Sequence, residues 1–441
     1  MPTYVDHDGQ TAMNAPDRLD GLKRLLAHAR EQLGLELGFR LWDGSTVPND
    51  LAPNALAVRI ADEGVVAALI RRPTAKTLAQ LWTTARIDLV NGSIFDLARI
   101  RLRVRSKEAL KSLDKRLLWR TLRKFLFVAR GGPWPLAPRA AASGGSAAAN
   151  RQNIVHHYDV SNAFYALWLD SEMIYSCGYC TDWSDDIDRM QQNKLEIICR
   201  KLRLKPGERL LDIGCGWGAL VCHAAQHYGV SAYGVTLSDE QAAYARAKVA
   251  RLGLSDRVTI LLQDYASVDG AFDKIASIGM YEHVGLAHTK RYLAAIQRLL
   301  TPGGLYLHHA ITRPAKRDER AFRRRRPEAA LIANYIFPGS ELDHIGRTVA
   351  SLERGGFEVH DVESWREHYA RTCRHWHDRL LANYAAAIAE VGEVTTRMWL
   401  AYLAGVSISF ERNGIGIYQT LVSKRRRGVS GLPPTRADLY R

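Results

Sequence analysis

Arg209-Leu-Leu-Asp-Ile-Gly-Cys-Gly-Trp-Gly218 is the stretch from which the rest of the chain can be read. Arg209 to Ile213 has the apolar density of a buried strand. It runs into glycine at alternate positions, Gly214, Gly216 and Gly218, and a helical pattern, Ala219 to Tyr228, follows at once. Strand, glycine turn and helix bring a ligand against bare backbone, because glycine has no side chain to hold it off. The helix N-terminus adds unpaired N–H groups and a partial positive charge. The stretch therefore predicts a cradle for a small cofactor.

Downstream the pattern alternates. Ser231 to Thr236, Val258 to Gln263, Phe272 to Ile278 and Leu305 to His309 read as strands. Asp239 to Leu252, capped by Ser238 or Asp239, and His288 to Leu300, stopped by Thr301-Pro302-Gly303-Gly304, read as helices. Such alternation predicts an α/β fold with a mostly parallel sheet covered on both faces. Ligands in such sheets bind beyond the carboxyl ends of the strands.

The glycine spacing is GxGxG, because position 219 is Ala, and no Gly-Lys-Ser/Thr follows. That departs from the dinucleotide fingerprint and excludes a phosphate loop. Asp212, just ahead of the first glycine, repels phosphate but accepts hydrogen bonds from a cationic amino-acid group. S-adenosylmethionine (SAM) has an ammonium, a sulfonium and no phosphate, and suits the cradle better than NAD. Thr236, with Gln241, stands where ribose hydroxyls would be held. Gln263 and Asp264 end the next strand, where a side chain can read an adenine edge.

Upstream of the cradle lies a different composition. Leu22 to Leu33 has helical periodicity. Leu35 to Trp42, Ala55 to Ile60 and Val65 to Ile70 are short apolar runs between turn residues, and Leu78 to Val90 and Ile94 to Ile100 look helical. Residues 1–130 thus predict a small α+β domain. Lys107 to Arg130 is basic and amphipathic, with the pattern of a helix lying on an anionic membrane or packing on its own domain. Residues 131–150 are rich in Gly, Ala, Pro and Ser and read as a linker. Residues 151–425 form the expected catalytic domain, and 426–441 a tail.

Of the 441 residues, 61 are Lys or Arg and 46 are Asp or Glu, a net charge of +15. That excess favours a polyanionic partner, nucleic acid or an anionic lipid surface. No zinc-finger, RNP-type or helix-turn-helix signature accompanies it, so nucleic acid is not the expected partner. Six cysteines do not make a disulfide framework, and the single CxxC, Cys177 and Cys180, has no second pair at zinc-ligand spacing. No metal site is expected. No apolar run approaches the length of a membrane span, and the first residues lack a signal-peptide pattern. A cytoplasmic protein with peripheral membrane contact is the expectation.

From Gln152 to Lys424 the chain resembles the cyclopropane-fatty-acyl-phospholipid synthases and their mycolic acid methyltransferase relatives. The resemblance rests on His157-Tyr-Asp-Val-Ser-Asn162, Met173-Ile-Tyr-Ser-Cys-Gly-Tyr179, the glycine motif, Gly234-Val-Thr-Leu-Ser238 and Gln263-Asp-Tyr265. It continues through Gly279-Met-Tyr-Glu-His-Val-Gly285, His309-Ala-Ile311, Tyr335-Ile-Phe-Pro338 and Tyr369. Residues before 131 look, more weakly, like the extra domain of the phospholipid-acting branch. The resemblance implies a Rossmann-like class I methyltransferase with a seven-stranded, mostly parallel sheet. It implies methylene transfer from SAM to a cis double bond of a phospholipid acyl chain, through a carbocation deprotonated by bound bicarbonate. It adds Tyr158, Tyr175, Ser176, Gly214, Gly216 and Leu237 to the cofactor set.

By the same resemblance, Cys177, Glu282, His309, Ile311 and Tyr369 form the bicarbonate pocket. The backbone N–H groups of Cys177 and Ile311, the His309 ring and the Tyr369 hydroxyl would donate, and Glu282 would pair with His309. Strand alternation alone leaves open whether His308 or His309 faces the site; the family register selects His309. Two departures stand out. Cys180 replaces a usual aromatic, which would widen the pocket near the methyl donor. Pro314 to Glu328 is unusually basic, consistent with a solvated run or a headgroup contact. A homodimer is a further expectation. The alternatives are a lipid methyltransferase that stops at a methyl or methylene branch and a small-molecule methyltransferase of the same fold.

Overall fold

The computed structural model describes residues 15–100, 111–136, 161–324 and 327–440. The chain divides into two compact units, Met1–Ala137 with Glu393–Ala401, and Pro138–Gly392 with Tyr402–Arg441. The change of unit at Ala137 falls inside the Gly/Ala/Pro/Ser stretch. Nothing in the periodicity foretold that Glu393–Ala401 would leave the larger unit. Arg397 supplies the reason. It donates to the Trp82 carbonyl at 2.8 Å and to Asp88 at 3.0 Å, and its guanidinium lies over the Trp82 ring.

The first unit holds a four-stranded sheet in the order β2-β1-β3-β4, with β1 Gly38–Arg40, β2 Thr46–Val47, β3 Ala57–Ile60 and β4 Ile87–Val90. Its core joins Leu22, Leu41, Val47, Ile60, Val65, Leu81 and Phe125. Two expectations are corrected here. Leu78 to Val90 is not one helix: the helix Ala75–Thr83 ends, Ala85 takes a positive φ of 54°, and Ile87–Val90 pairs with β3. Val65 to Ile70 belongs to a helix, Glu63–Arg71, buried along Gly64–Ala68. A short run buried on all sides shows no period that separates helix from strand. Within the basic amphipathic stretch, Asp114 caps the helix Lys115–Leu122.

The second unit holds a seven-stranded sheet in the order β10-β11-β9-β8-β5-β6-β7. The strands are β5 Arg209–Ile213, β6 Ser231–Thr236, β7 Val258–Leu262, β8 Phe272–Ile278, β9 Leu300–Thr312, β10 Phe357–Ser364 and β11 Gly416–Lys424. β5 to β9 pair in parallel, while β11 inserts antiparallel between β9 and β10. β9 is longer than the expected Leu305 to His309, and a register shift against β8 absorbs the turn residues at its start. The extra length places Ile311 inside the strand.

Successive strand residues point to opposite faces. Leu210 joins one core cluster with Leu195, Ile198 and Leu202 of helix Ile187–Leu202, while Leu211 and Ile213 join the other with Tyr292 and Ile296. Asp212 therefore shares the face of Leu210, and His309 shares that of Leu305 and Leu307. In the glycine turn, φ is +82° at Gly214, +55° at Gly216 and +84° at Gly218, a region costly for other residues. The turn is tied to the next strand, with the Gly214 and Cys215 N–H groups both donating to the Val235 carbonyl.

A Cβ on Gly234 would lie 2.9 Å from the Cys215 side chain and 3.1 Å from Ile260. Gly234→Ala should therefore destabilise the protein by about 1–3 kcal/mol in chemical denaturation, through forced displacement of the glycine turn. An unchanged midpoint would show that the turn yields freely.

Candidate functional site

Two cavities open at the carboxyl ends of the parallel strands. The smaller, about 130 Å³, is lined by Asp212, Gly214 and Gly216, by Thr236, Leu237, Gln241 and Gln263, and by Tyr175 and Ser176. The larger, about 890 Å³, is lined by Cys177, Glu282, His309, Ile311 and Tyr369, among apolar and basic residues. Tyr175, Ser176, Ile278, Gly279 and His283 line both. The residues expected from separate motifs are thus gathered around two adjoining spaces. Tyr158 lies outside the described residues.

The smaller cavity fits a cationic, phosphate-free ligand. Asp212 Oδ1 is buried without a hydrogen-bond partner, and burial pushes this carboxyl up to about 7, with Lys194 pulling it back. A Cβ at Gly216 would meet nothing within 4 Å, so the backbone there is open to close approach. Thr236 donates to Gln241 Oε1 at 2.9 Å, which fixes the two polar groups as a pair. Asp264 departs from expectation. Its carboxylate accepts from the Ala266 N–H at 2.7 Å and caps the turn Tyr265–Ser267, and it does not line the cavity. Only Gln263 of that strand end does.

Glu282 sits on the short turn Tyr281–His283, which follows β8. Its Oε1 accepts the Ile311 N–H at 2.5 Å, and its Oε2 is buried without a partner. Burial pushes its carboxyl up to about 7. The expected Glu282–His309 pair is not made. His309 Nδ1 instead lies 3.2 Å from Gln419 Nε2, and His309 Nε2 has no partner. The Ile311 N–H, expected to be free for an anion, is engaged by Glu282. His308 faces the other way, with Nδ1 2.8 Å from the Tyr306 hydroxyl. Burial holds His309 well below the ordinary histidine range, aided by nearby Lys194 and Lys201 charges, so the ring is neutral.

Burial raises the Cys177 thiol well above its ordinary value, so it is a packed thiol and not a nucleophile. Tyr369 packs against Phe410 with ring centroids 4.7 Å apart. Cys180 lines neither cavity; its N–H donates to His368 Nδ1 at 3.0 Å. The expected widening near the methyl donor therefore does not arise from it. Arg313, Lys316, Arg323 and Arg324 line the larger cavity.

Lys194, Lys201 and Gln419 were not read from the sequence. Lys194 lines the smaller cavity and donates to Ser176 Oγ at 2.9 Å; burial pushes it down to about 8, with Asp170 pulling back. A signal was present. Met190, Lys194, Ile197 and Lys201 recur at helical spacing, which sets two lysines on the apolar face of helix Ile187–Leu202.

The family model described as mycolic acid cyclopropane synthetase matches residues 146–420. A probable fatty acid methyltransferase of Pseudomonas putida is 37% identical over 425 residues, 94% of this chain and 99% of its own length. The cyclopropane-fatty-acyl-phospholipid synthase of Escherichia coli is 38% identical over 268 residues, 61% of this chain and 66% of its own length. A solved mycolic acid cyclopropane synthase, complexed with SAH and CTAB, superimposes with a TM-score of 0.58 at 33% identity. That match covers 62% of this chain and 98% of the other.

Folding raises Glu282 from 4.5 to about 7. Between those values the unfolded chain has released the proton that the folded chain keeps. The stability tied to this group is complete below the lower value, falls as pH rises and is level above the higher one. Glu282→Gln should therefore gain stability over the parent as pH rises from 5 to 7.5, by up to about 3 kcal/mol at about 1.4 kcal/mol per pKa unit. A variant less stable than the parent at pH 7.5 would mean that the carboxylate is held by compensating partners.

Proposed function

The chain belongs to the mycolic acid cyclopropane synthetase family, and we propose that it transfers a methylene group from SAM to the cis double bond of a membrane-phospholipid acyl chain. The observation that carries this reading is the junction of the two cavities at Tyr175, Ser176, Ile278, Gly279 and His283. Those shared residues would stand between a cofactor held in the smaller space and a substrate in the larger one. The cofactor would be held by the glycine turn, Asp212, Thr236 with Gln241, and Gln263. When bound it supplies an electrophilic sulfonium methyl, which a weakly nucleophilic alkene requires.

The chain's own residues then have distinct tasks. The larger cavity, at about 890 Å³, takes an acyl segment and excludes water from a carbocation. Glu282, His309 and Tyr369 line it as buried polar groups, where low dielectric strengthens their effect on developing charge. A bicarbonate ion would suit the His309 Nε2 and Tyr369 hydroxyl as donors and Glu282 as acceptor, and would supply the base. Arg313, Lys316, Arg323 and Arg324, on the wall of the same cavity, match an anionic headgroup.

The membrane is the proposed partner, contacted from its inner, cytoplasmic face. No helix among the described residues is long and apolar enough to cross it. In the first unit Trp119 is 65% exposed and Phe127 is 98% exposed. Lys115, Arg116, Arg120 and Arg123 are exposed in the same segment. Aromatic tips with a basic surround suit the headgroup layer of an anionic bilayer.

A second reading is a methyl- or methylene-branched product. The Pseudomonas putida relative, matched over 99% of its own length, is a probable fatty acid methyltransferase, which supports this reading.

Expression in a host lacking such an enzyme separates the two. A cyclopropane product is one CH2 heavier than its unsaturated parent and shows upfield ring protons by NMR, and it should vanish in Glu282→Gln. An exocyclic methylene or a methyl branch would establish the second reading, and unchanged fatty acids would remove both. Trp119→Ala with Phe127→Ala should weaken sedimentation with anionic vesicles by about tenfold or more, since tenfold takes only about 1.4 kcal/mol and each large apolar side chain contributes up to about 1.5–3 kcal/mol when fully buried. Equal sedimentation with anionic and neutral vesicles would remove the membrane role of the charge.

A further inference from the structure

We propose that Gln419, oriented by Lys201, fixes the proton of His309 on Nε2 and so makes that ring a hydrogen-bond donor toward the acyl cavity. Gln419 stands directly across from His309 in the β9–β11 ladder, so the two side chains leave the same face of the sheet. Gln419 Nε2 lies 3.2 Å from His309 Nδ1. An amide can be turned end for end without changing its outline, so this contact alone does not say which group faces the ring.

Lys201 decides it. An ammonium has only donors, and Lys201 Nζ lies 2.7 Å from Gln419 Oε1. The amide oxygen must face Lys201, and the NH2 must face His309. Lys201 is held in turn by an ion pair with Glu363. All three groups, Lys201, Gln419 and His309, are 1% exposed, so water cannot substitute for any of them.

A donor aimed at Nδ1 requires a lone pair there. The neutral ring then carries its proton on Nε2. Protonating Nδ1 as well would set two donors against each other with the Lys201 cation behind them. The depressed basicity of His309 agrees with this. Nε2 is the ring atom without a partner, and the ring lines the larger cavity beside Glu282, Cys177 and Tyr369. Gln419 and Lys201 line neither cavity, so they are positioning residues. The ligand class that fits the Nε2–H is a small acceptor, anionic or carboxyl-like.

The inference rests on the proposed role of the larger cavity, but its first readout, the tautomer of the resting protein, needs no lipid, so failure of the tautomer and failure of the activity are told apart. The resting protein, labelled with 15N-histidine, is read by long-range 1H–15N NMR at pH 7.5, with His309→Asn identifying the resonance. The expected result is a protonated-type Nε2 and an unprotonated-type Nδ1. Gln419→Glu keeps the shape and the pairing with Lys201 but presents an acceptor to Nδ1. It should invert the tautomer and lower kcat by about 10²-fold or more, with SAH affinity within about twofold, since a misplaced imidazole proton removes the useful donor. Lys201→Met should give a mixture of tautomers.

An Nδ1–H tautomer or an imidazolium in the parent protein would overturn the proposal, whatever the variants do. So would Gln419→Glu that is folded by circular dichroism and keeps either the Nε2–H tautomer or the parent turnover.

Discussion

Helix Ile187–Leu202 lies on one face of the central sheet, and its apolar contact there governs what happens to the charges it carries. Leu195, Ile198, Cys199 and Leu202 pack in one cluster with Leu210, Leu307 and Leu421. Burying a large aliphatic side chain contributes about 1.5–3 kcal/mol, so the helix has little freedom to roll. The same face holds Lys194 and Lys201, and both are almost fully buried. Each must find partners inside. Lys194 finds Ser176 on the rim of both cavities, and Lys201 finds Gln419 and Glu363. A hydrophobic contact thus places two cations behind the residues proposed to act on cofactor and substrate.

The electrostatics of the site follow from that burial. Asp212 and Glu282 each have one carboxylate oxygen without a partner in the folded protein, and desolvation raises both groups to about 7. Such groups weaken the fold, because a buried charge loses its hydration. They are suited instead to a ligand that brings the missing hydrogen bond or countercharge. His309 is the complement: a neutral ring among cations, with one nitrogen engaged and the other not. The site is less stable than an apolar filling would be, the usual cost of polar groups held ready for a ligand.

Much of the architecture was legible in local pattern. The strand limits Ser231–Thr236 and Phe272–Ile278 follow from runs bounded by turn residues, and Ser238 caps its helix as its residue type predicts. The glycine turn could be read because positive φ and close approach both demand glycine. Where burial was complete the pattern failed. Glu63–Arg71 is a helix whose apolar run has no exposed side, and Ile87–Val90 is a strand joined to a helix by a single left-handed residue, Ala85. Asp264 shows another limit: a strand-end carboxylate can turn to a ligand or cap the next turn, the residue type does not distinguish the two, and here Oδ1 caps the turn.

Sequence by itself determined the α/β order, the glycine cradle, the excess of positive charge and the family, because each depends on local composition or on motifs in a fixed order. Tertiary structure decided the pairings. His308 and His309 are adjacent and chemically alike, and only the packing of each sheet face assigns one to Tyr306 and the other to Gln419. Glu282 meets the Ile311 backbone and not the His309 ring because β9 runs on past the histidine. Lys201 and Gln419 are 218 residues apart and come together through strand register and helix packing. The glycine turn from which the chain was first read carries the cofactor cradle. The disposition of protons around it belongs to residues that no local pattern connects to it.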